Sequence, residues 1–254
     1  MGFEVTAQAY GQFMGRFSEP LGAVFADAAG VVPGGDQAVL DVGCGPGALT
    51  SVLVERLGSG QVHACDPSQS FVEAARGRLP GVDVVAAAAE DLPYDDDRFD
   101  AALAQLVVHF MRDPVAGLRE MARVTRPGGV VAACVWDHAG RQGPVSAFWD
   151  VVREFDPGEE GEGLLAGTER GQLGELLREA GLADVRESSL AVTTRFDSFE
   201  DWWEPYTFGV GPAGAYVTAL DDGRREALRA LAQQRLPAAP FEVHAEAWCA
   251  VGTA

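Results

Sequence analysis

Asp41, Gly43, Gly45 and Gly47 stand at alternate positions where the apolar run Val39-Leu40-Asp41-Val42 gives way to Gly43-Cys44-Gly45-Pro46-Gly47. Alternating glycines let a backbone turn through positive φ and bring its N–H groups against a ligand that a Cβ would hold away. An acid and a glycine turn at the end of a buried strand make a nucleotide-type cofactor turn. A second acid, Asp66, closes the next strand, where a carboxylate can accept hydrogen bonds from both hydroxyls of an adenosine ribose. Two cofactors fit these residues alone, because Gly43-x-Gly45-x-x-Ala48 also satisfies a loose dinucleotide fingerprint.

The elements that must hold these side chains are legible as period. Apolar strand-like runs recur at Ala38–Val42, Gln61–Cys65, Val82–Ala86, Phe99–Ala104 and Gly129–Trp136, each separated by a helix-compatible or turn segment. Such alternation specifies right-handed βαβ units and a parallel sheet covered on both faces. Leu49, Val52, Leu53 and Leu57 share one face of the helix after the glycine turn, and Gly58 is placed to end it. Asp113-Pro114 opens a later helix with the stripe Leu118, Met121, Ala122 and Thr125, and Arg126-Pro127-Gly128-Gly129 should stop it. Residues 139–170, glycine-rich and acidic around Asp156 to Gly163, read as a mobile insertion or lid. Leu173, Leu176, Leu177 and Ala180 form another amphipathic helix ending at Gly181. Strands follow near Val185–Phe196 and Phe241–Val251, with helical stretches at Phe199–Tyr206 and Ala227–Leu236 between them as a cap. In the last strand Phe241, Val243, Ala245 and Ala247 should face inward, with Glu242, His244 and Glu246 outward.

At 254 residues and 47% hydrophobic, the chain can bury one large core. No apolar run approaches a membrane span and no signal-peptide pattern opens the chain, so a cytoplasmic location is expected. Met1-Gly2-Phe3-Glu4-Val5-Thr6 fits only a loose myristoylation pattern. The formal charge of −19, carried against arginine as the sole strong cation, argues against nucleic-acid binding, which needs clustered cations to displace counterions. Lysine, asparagine and isoleucine are absent altogether; all three have AT-rich codons, the mark of a GC-rich bacterial genome. The cysteines at 44, 65, 134 and 249 share no C-x-x-C spacing and read as buried free thiols, with no metal site.

Taken in order, the glycine turn, Asp66-Pro67-Ser68, Ala89-Glu90-Asp91-Leu92-Pro93, Phe99-Asp100, His109-Phe110-Met111-Arg112-Asp113-Pro114 and Arg126-Pro127-Gly128-Gly129 form one series. This series resembles the class I S-adenosylmethionine-dependent methyltransferases from about residue 9 to 136. Within them it resembles the small-molecule branch of ubiquinone/menaquinone methyltransferase-like (type 11) proteins. The resemblance implies an α/β, Rossmann-like fold: a seven-stranded, mostly parallel sheet of order 3-2-1-4-5-7-6, its last strand antiparallel, with helices on both faces and a lid or cap. It implies a single domain over 1–254, divided into cofactor-covering helices (1–30), a cofactor-binding core (31–138), the lid (139–170) and a C-terminal sheet edge (171–254) whose helical cap spans about 197–236.

The implied cofactor, S-adenosylmethionine, carries a sulfonium, an amino-acid end and an adenosine but no phosphate. Asp41 and the open carbonyls of Gly43, Cys44, Gly45 and Gly47 would face its ammonium, where a diphosphate would be repelled. Asp66 would hold the ribose, with Pro67 and Phe71 in apolar contact. Glu90, Asp91 and Leu92 would border the adenine, although Ala88 stands where the family usually has a polar residue. Tyr10 belongs to the N-terminal helix that folds over the cofactor, Gln105 ends the fourth strand beside it, and Arg16 either meets its carboxylate or forms an ordinary ion pair. His109 and His138, just after strands four and five, are either general bases for the acceptor or polar pocket wall. Trp136, Trp149, Trp202 and Trp203 with Phe148, Tyr206 and Phe208 either line an acceptor site or pack the cap. The expected reaction is methyl transfer to a small organic acceptor at oxygen, nitrogen or carbon, by a monomer or homodimer. Cyclisation or elimination on the same cofactor, and NAD(P)-dependent oxidoreduction, are the alternatives, the last disfavoured because a Tyr-x-x-x-Lys pair needs a lysine.

Overall fold

A computed structural model describes residues 7–159 and 161–254; the Met1–Thr6 pattern lies outside them. The sheet runs in the order β3-β2-β1-β4-β5-β7-β6. Its strands are β1 (Val39–Val42), β2 (Val62–Asp66), β3 (Asp83–Ala86), β4 (Phe99–Gln105), β5 (Thr125–Trp136), β6 (Ala183–Phe196) and β7 (Phe241–Thr253). Strands β1 to β5 are parallel, and β7 is antiparallel to both of its neighbours.

The side-chain alternation of the central strands divides the core between two faces. Val39 and Leu103 join a cluster with Leu21 and Phe25 of α2 (Arg16–Ala28) and Leu49 and Leu53 of α3 (Ala48–Leu57). Leu40, Val42 and Ala102 point the other way, onto Leu118 and Met121 of α5 (Pro114–Val124) and Leu173 and Leu177 of α7 (Gln172–Glu179). A short helix α1 (Ala7–Tyr10) leads through a π-helical turn (Gly11–Gly15) into α2, and α4 (Gln69–Arg78) covers β2 and β3 through Val72 and Ala75. β1 is buried along its whole length, so its carboxyl end delivers Asp41 and the glycine turn to a fixed place.

Two segments depart from the expectation drawn from sequence. Arg126-Pro127-Gly128-Gly129 does not separate α5 from the next strand. β5 begins at Thr125, pairs with Phe99, and then bulges before Ala101 meets Val130. Gly128, at φ +79°, donates its N–H to the carbonyl of Ala254, so the bulge ties the strand to the chain end. Residues 139–170, expected as an insertion or lid, contain a helix the sequence reading did not mark, α6 (Ser146–Phe155), whose Phe148, Trp149, Val151 and Val152 are buried. Phe148 stacks on Tyr206 at 4.4 Å, and Phe13, Trp202 and Trp203 pack around the same ring.

These aromatics are the packing core of a cap that also includes α8 (Phe199–Trp203), α9 (Gly211–Ala219) and α10 (Asp222–Arg235). Among the described residues no helix is long and apolar enough to cross a membrane.

Candidate active site

A crevice of about 930 Å³ opens at the carboxyl ends of β1, β2 and β4, where parallel sheets collect their ligands. Gly43, Gly45 and Gly47 have φ of +71°, +53° and +91°. The turn is pinned from β2, because the N–H groups of Gly43 and Cys44 both donate to the carbonyl of Cys65, at 2.7 and 2.9 Å. Asp66 completes the clamp: its Oδ2 accepts from Gly45 N at 2.9 Å and its Oδ1 from Ser68 N at 2.8 Å. Burial raises the Asp66 carboxyl above its ordinary range, and these two N–H groups oppose that shift by favouring the anion.

Asp41 is buried at the rim of the same space. Its Oδ2 accepts from Thr50 Oγ1 at 2.6 Å, while Oδ1 has no partner. Burial pushes its carboxyl up to about 7, Thr50 resists the shift, and nearby Asp66 adds to it. Gln105 donates Nε2 to the carbonyl of Ser18 at 2.8 Å and leaves its buried Oε1 equally unpartnered. Both residues contribute to the crevice lining and each carries a buried acceptor without a partner, which is costly unless a donor arrives.

Tyr10, Cys44, Pro67, Phe71 and Glu90 also line the crevice, with Tyr10 edge-on to Phe71 at 5.6 Å. Glu90 is engaged by the start of α5, since its Oε1 accepts from Arg112 N and Asp113 N at 2.7 and 3.2 Å. Burial raises the thiol of Cys44, and all four cysteines are free and buried.

Several expected contacts fall elsewhere. Gly47 caps α3 behind the lining, where an added Cβ would stand 2.9 Å from Leu79 Cδ1. Asp91 is exposed and outside the lining. Leu92 is buried in the core and gives its N–H to Glu120 Oε2 at 3.1 Å. Arg16 is turned to the cap. It pairs with Asp201 at 2.7 Å, donates to the carbonyl of Arg195, and lies 4.4 Å from the Phe196 ring centroid, so it is not positioned to meet a ligand carboxylate. The pairing holds Asp201 below the ordinary carboxylate range. Arg16→Ala should therefore lower stability by about 1 kcal/mol, the scale of a half-exposed pair plus lost stem packing. Urea unfolding measures that loss, and cofactor titration of the same variant should show affinity unchanged.

His109 and His138 both lie behind the crevice wall rather than in it. His109 and the side chain of His138 are buried, with ring centroids 6.2 Å apart, and the His109 ring rests 3.9 Å from Phe110, which does line the crevice. Burial, with a smaller contribution from His138, pushes His109 down to about 3; burial alone pushes His138 down to about 4. Both are neutral imidazoles at neutral pH.

The residues that escaped sequence reasoning are Thr50, a lone hydroxyl on the buried side of α3, and the wall Leu106-Val107. Leu106 holds φ at +62°, rare for a branched side chain, and this kink after β4 swings Val107 against the glycine turn.

Residues 40–133 match the model of a methyltransferase domain family. An uncharacterised methyltransferase of Mycobacterium tuberculosis is 36% identical over 129 residues, 50% of this chain and 51% of that protein. A demethylmenaquinone methyltransferase of Clavibacter sepedonicus is 36% identical over 107 residues, 41% of this chain and 43% of that protein. The chain thus spans about half the length of the curated relatives it matches. A geranyl diphosphate C-methyltransferase from Streptomyces coelicolor, solved with S-adenosylhomocysteine, shares the fold. Its TM-score is 0.55 at 14% identity, over 94% of this chain and 80% of that one.

Proposed function

We infer that this chain, whose residues 40–133 are a methyltransferase domain on a class I methyltransferase fold, transfers the methyl group of S-adenosylmethionine to a small organic acceptor. The observation that carries the reading is the pair of unpartnered acceptors, Asp41 Oδ1 and Gln105 Oε1, in a crevice whose walls also present Asp66 and Glu90. An ammonium satisfies them, and a diphosphate would meet acidic oxygens where it needs donors.

On this reading Asp41 and Gln105 hold the amino end of the methionine portion and Asp66 the ribose hydroxyls. Phe71 and Pro67 give apolar contact to the adenosine, and Tyr10 covers it. The sulfonium supplies a methyl carbon already activated for in-line displacement. The remaining work of the protein is to align the acceptor and exclude water, which falls to the apolar wall of Leu106, Val107 and Phe110.

Calorimetric titration should show saturable binding of S-adenosylmethionine and S-adenosylhomocysteine and none of NAD. Incubation with a panel of hydroxyl, amine and carbon acceptors should then release S-adenosylhomocysteine. Binding of NAD in place of S-adenosylmethionine would overturn the assignment, and cofactor binding with a product that lacks the methyl group would replace transfer by cyclisation or elimination.

A further inference from the structure

Asp41 and Gln105 answer the ammonium of the methionine portion, but the carboxylate on the same carbon is left without a partner, because Arg16 is turned to Asp201. Whatever receives that carboxylate must stand close to Asp41 and Gln105. Ser18 of α2 does: its carbonyl accepts from Gln105 Nε2 at 2.8 Å, it lines the crevice, and it is only 1% exposed. Its hydroxyl is buried and makes no hydrogen bond. A serine inside a helix can give its hydroxyl to the carbonyl four residues back, here that of Met14, and Ser18 does not take that local partner. The phenol of Tyr10 approaches the hydroxyl without reaching hydrogen-bond geometry.

The start of α3 faces the same space. Gly22, one turn beyond Ser18 on the same side of α2, lets the two helices touch, since an added Cβ would stand 3.5 Å from Leu49 Cα and 3.6 Å from Ala48 O. Ser18, Ala48 and Leu49 all line the crevice, and Ser18 and Ala48 also line a hollow of about 280 Å³ that adjoins it. Ala48 and Leu49 open α3, where N–H groups have no intrahelical acceptor, and the N-cap Gly47 brings no side chain to cap them. A buried hydroxyl donor and the positive end of a helix dipole therefore meet at one place. The arginines that line these spaces are placed otherwise: Arg78 pairs with Glu19 at 2.9 Å, and Arg112 stands by Glu90, on the side expected to border the adenine.

We propose, resting on the methyl-transfer reading, that the Ser18 hydroxyl and the first N–H groups of α3 receive the carboxylate of S-adenosylmethionine, so that Ser18 sets the preference for this cofactor over its decarboxylated form. The two ends of the amino-acid group then have separate partners: acceptors on Asp41 and Gln105 for the cation, donors on Ser18 and α3 for the anion. A hydroxyl that the free protein leaves unsatisfied gains its hydrogen bond only from a ligand that carries the carboxylate. Removing it therefore takes little from the fold and much from the ligand.

The test is calorimetric titration of the full chain with S-adenosylmethionine and with decarboxylated S-adenosylmethionine, which keeps the sulfonium and the ammonium and lacks the carboxylate. The wild type should bind the decarboxylated compound about tenfold or more weakly, the scale of a hydrogen bond to a charged group. Ser18→Ala should lose about tenfold or more toward S-adenosylmethionine and nothing toward the decarboxylated compound, with urea unfolding of the free protein no easier than in the wild type. If Ser18→Ala affects both compounds equally, or neither, the hydroxyl does not read the carboxylate and the proposal is overturned. Equal affinity of the wild type for the two compounds overturns it as well, and needs no variant to fold. A wild type that binds neither compound overturns the methyl-transfer reading itself, and the proposal with it.

Discussion

Asp41→Asn is expected to make the free protein more stable at pH 8 and at the same time to weaken S-adenosylmethionine binding by about 30-fold or more. The two effects share one cause. Asp41 is buried with one oxygen unpartnered, and burial raises its carboxyl from the ordinary 3.8 to about 7. Because the folded-state value lies above the unfolded one, the folded protein holds a proton that the unfolded chain gives up between these values. Stability from this group is full below about pH 4, declines as pH rises, and is lost by about pH 7. Each unit of displacement corresponds to about 1.4 kcal/mol, so the ionised side chain costs the free protein on the order of 4 kcal/mol at pH 8.

Asparagine avoids that cost, keeps an oxygen for the Thr50 hydroxyl, and adds a buried NH₂ that needs a partner; a net gain of about 1–3 kcal/mol remains. The ligand sees the reverse. Removing the buried anion that faces an ammonium forfeits about 2–5 kcal/mol of binding. Denaturant unfolding at pH 5 and pH 8 should show the variant's advantage only at the higher pH. Wild-type affinity should strengthen as pH rises from 6 to 7.5, before the ligand's α-amino group loses its own proton near 7.7–8.0, and the variant should lack that rise. A variant that is less stable at pH 8 yet binds normally would show that Asp41 is a structural cap.

Period and punctuation made the sheet legible in the sequence. β1 to β4 are short apolar runs bounded by turn residues, and each begins or ends within one residue of its expected bounds. The Arg126-Pro127-Gly128-Gly129 bulge was not legible, because a proline and two glycines look alike in a helix stop and in an irregular strand edge, and only the partner Ala254 decides between them. α6 was hidden for a different reason: its stripe of Phe148, Val151 and Val152 is short and adjoins a run of glycines and acids that dominates local composition.

In the site, residues fixed by the backbone were easy to find, since glycine turns and strand-end acids carry their positions in the sequence. Arg16, Asp91 and Leu92 were harder because a side chain near a cofactor in sequence can turn either way. Arg16 chose an acid on α8, and Leu92 chose the core.

Gly43→Ala and Gly45→Ala should separate what the turn does for the fold from what it does for the ligand. At Gly43, φ is +71° and an added Cβ would stand 2.5 Å from Val107 Cγ2 and 2.6 Å from Cγ1. Left-handed backbone costs a non-glycine residue about 1–2 kcal/mol, and overpacking adds about 1–3 kcal/mol, so Gly43→Ala should lose roughly 3 kcal/mol of stability together with cofactor binding. Val107→Ala in the same chain should return the packing part and leave the backbone part, recovering about half of the stability.

At Gly45 the backbone cost is similar, but an added Cβ meets no protein atom within 4 Å. This glycine lines the crevice, so what its Cβ displaces is ligand or solvent. Gly45→Ala should therefore unfold within about 1–2 kcal/mol of the wild type while its affinity for S-adenosylmethionine falls by about tenfold or more, read by calorimetry beside the unfolding curve. Equal loss of stability and binding at both positions would mean that the turn serves the fold alone. A loss of binding that outruns the loss of stability at Gly45 and not at Gly43 marks the open side of the turn as the surface on which the cofactor lies.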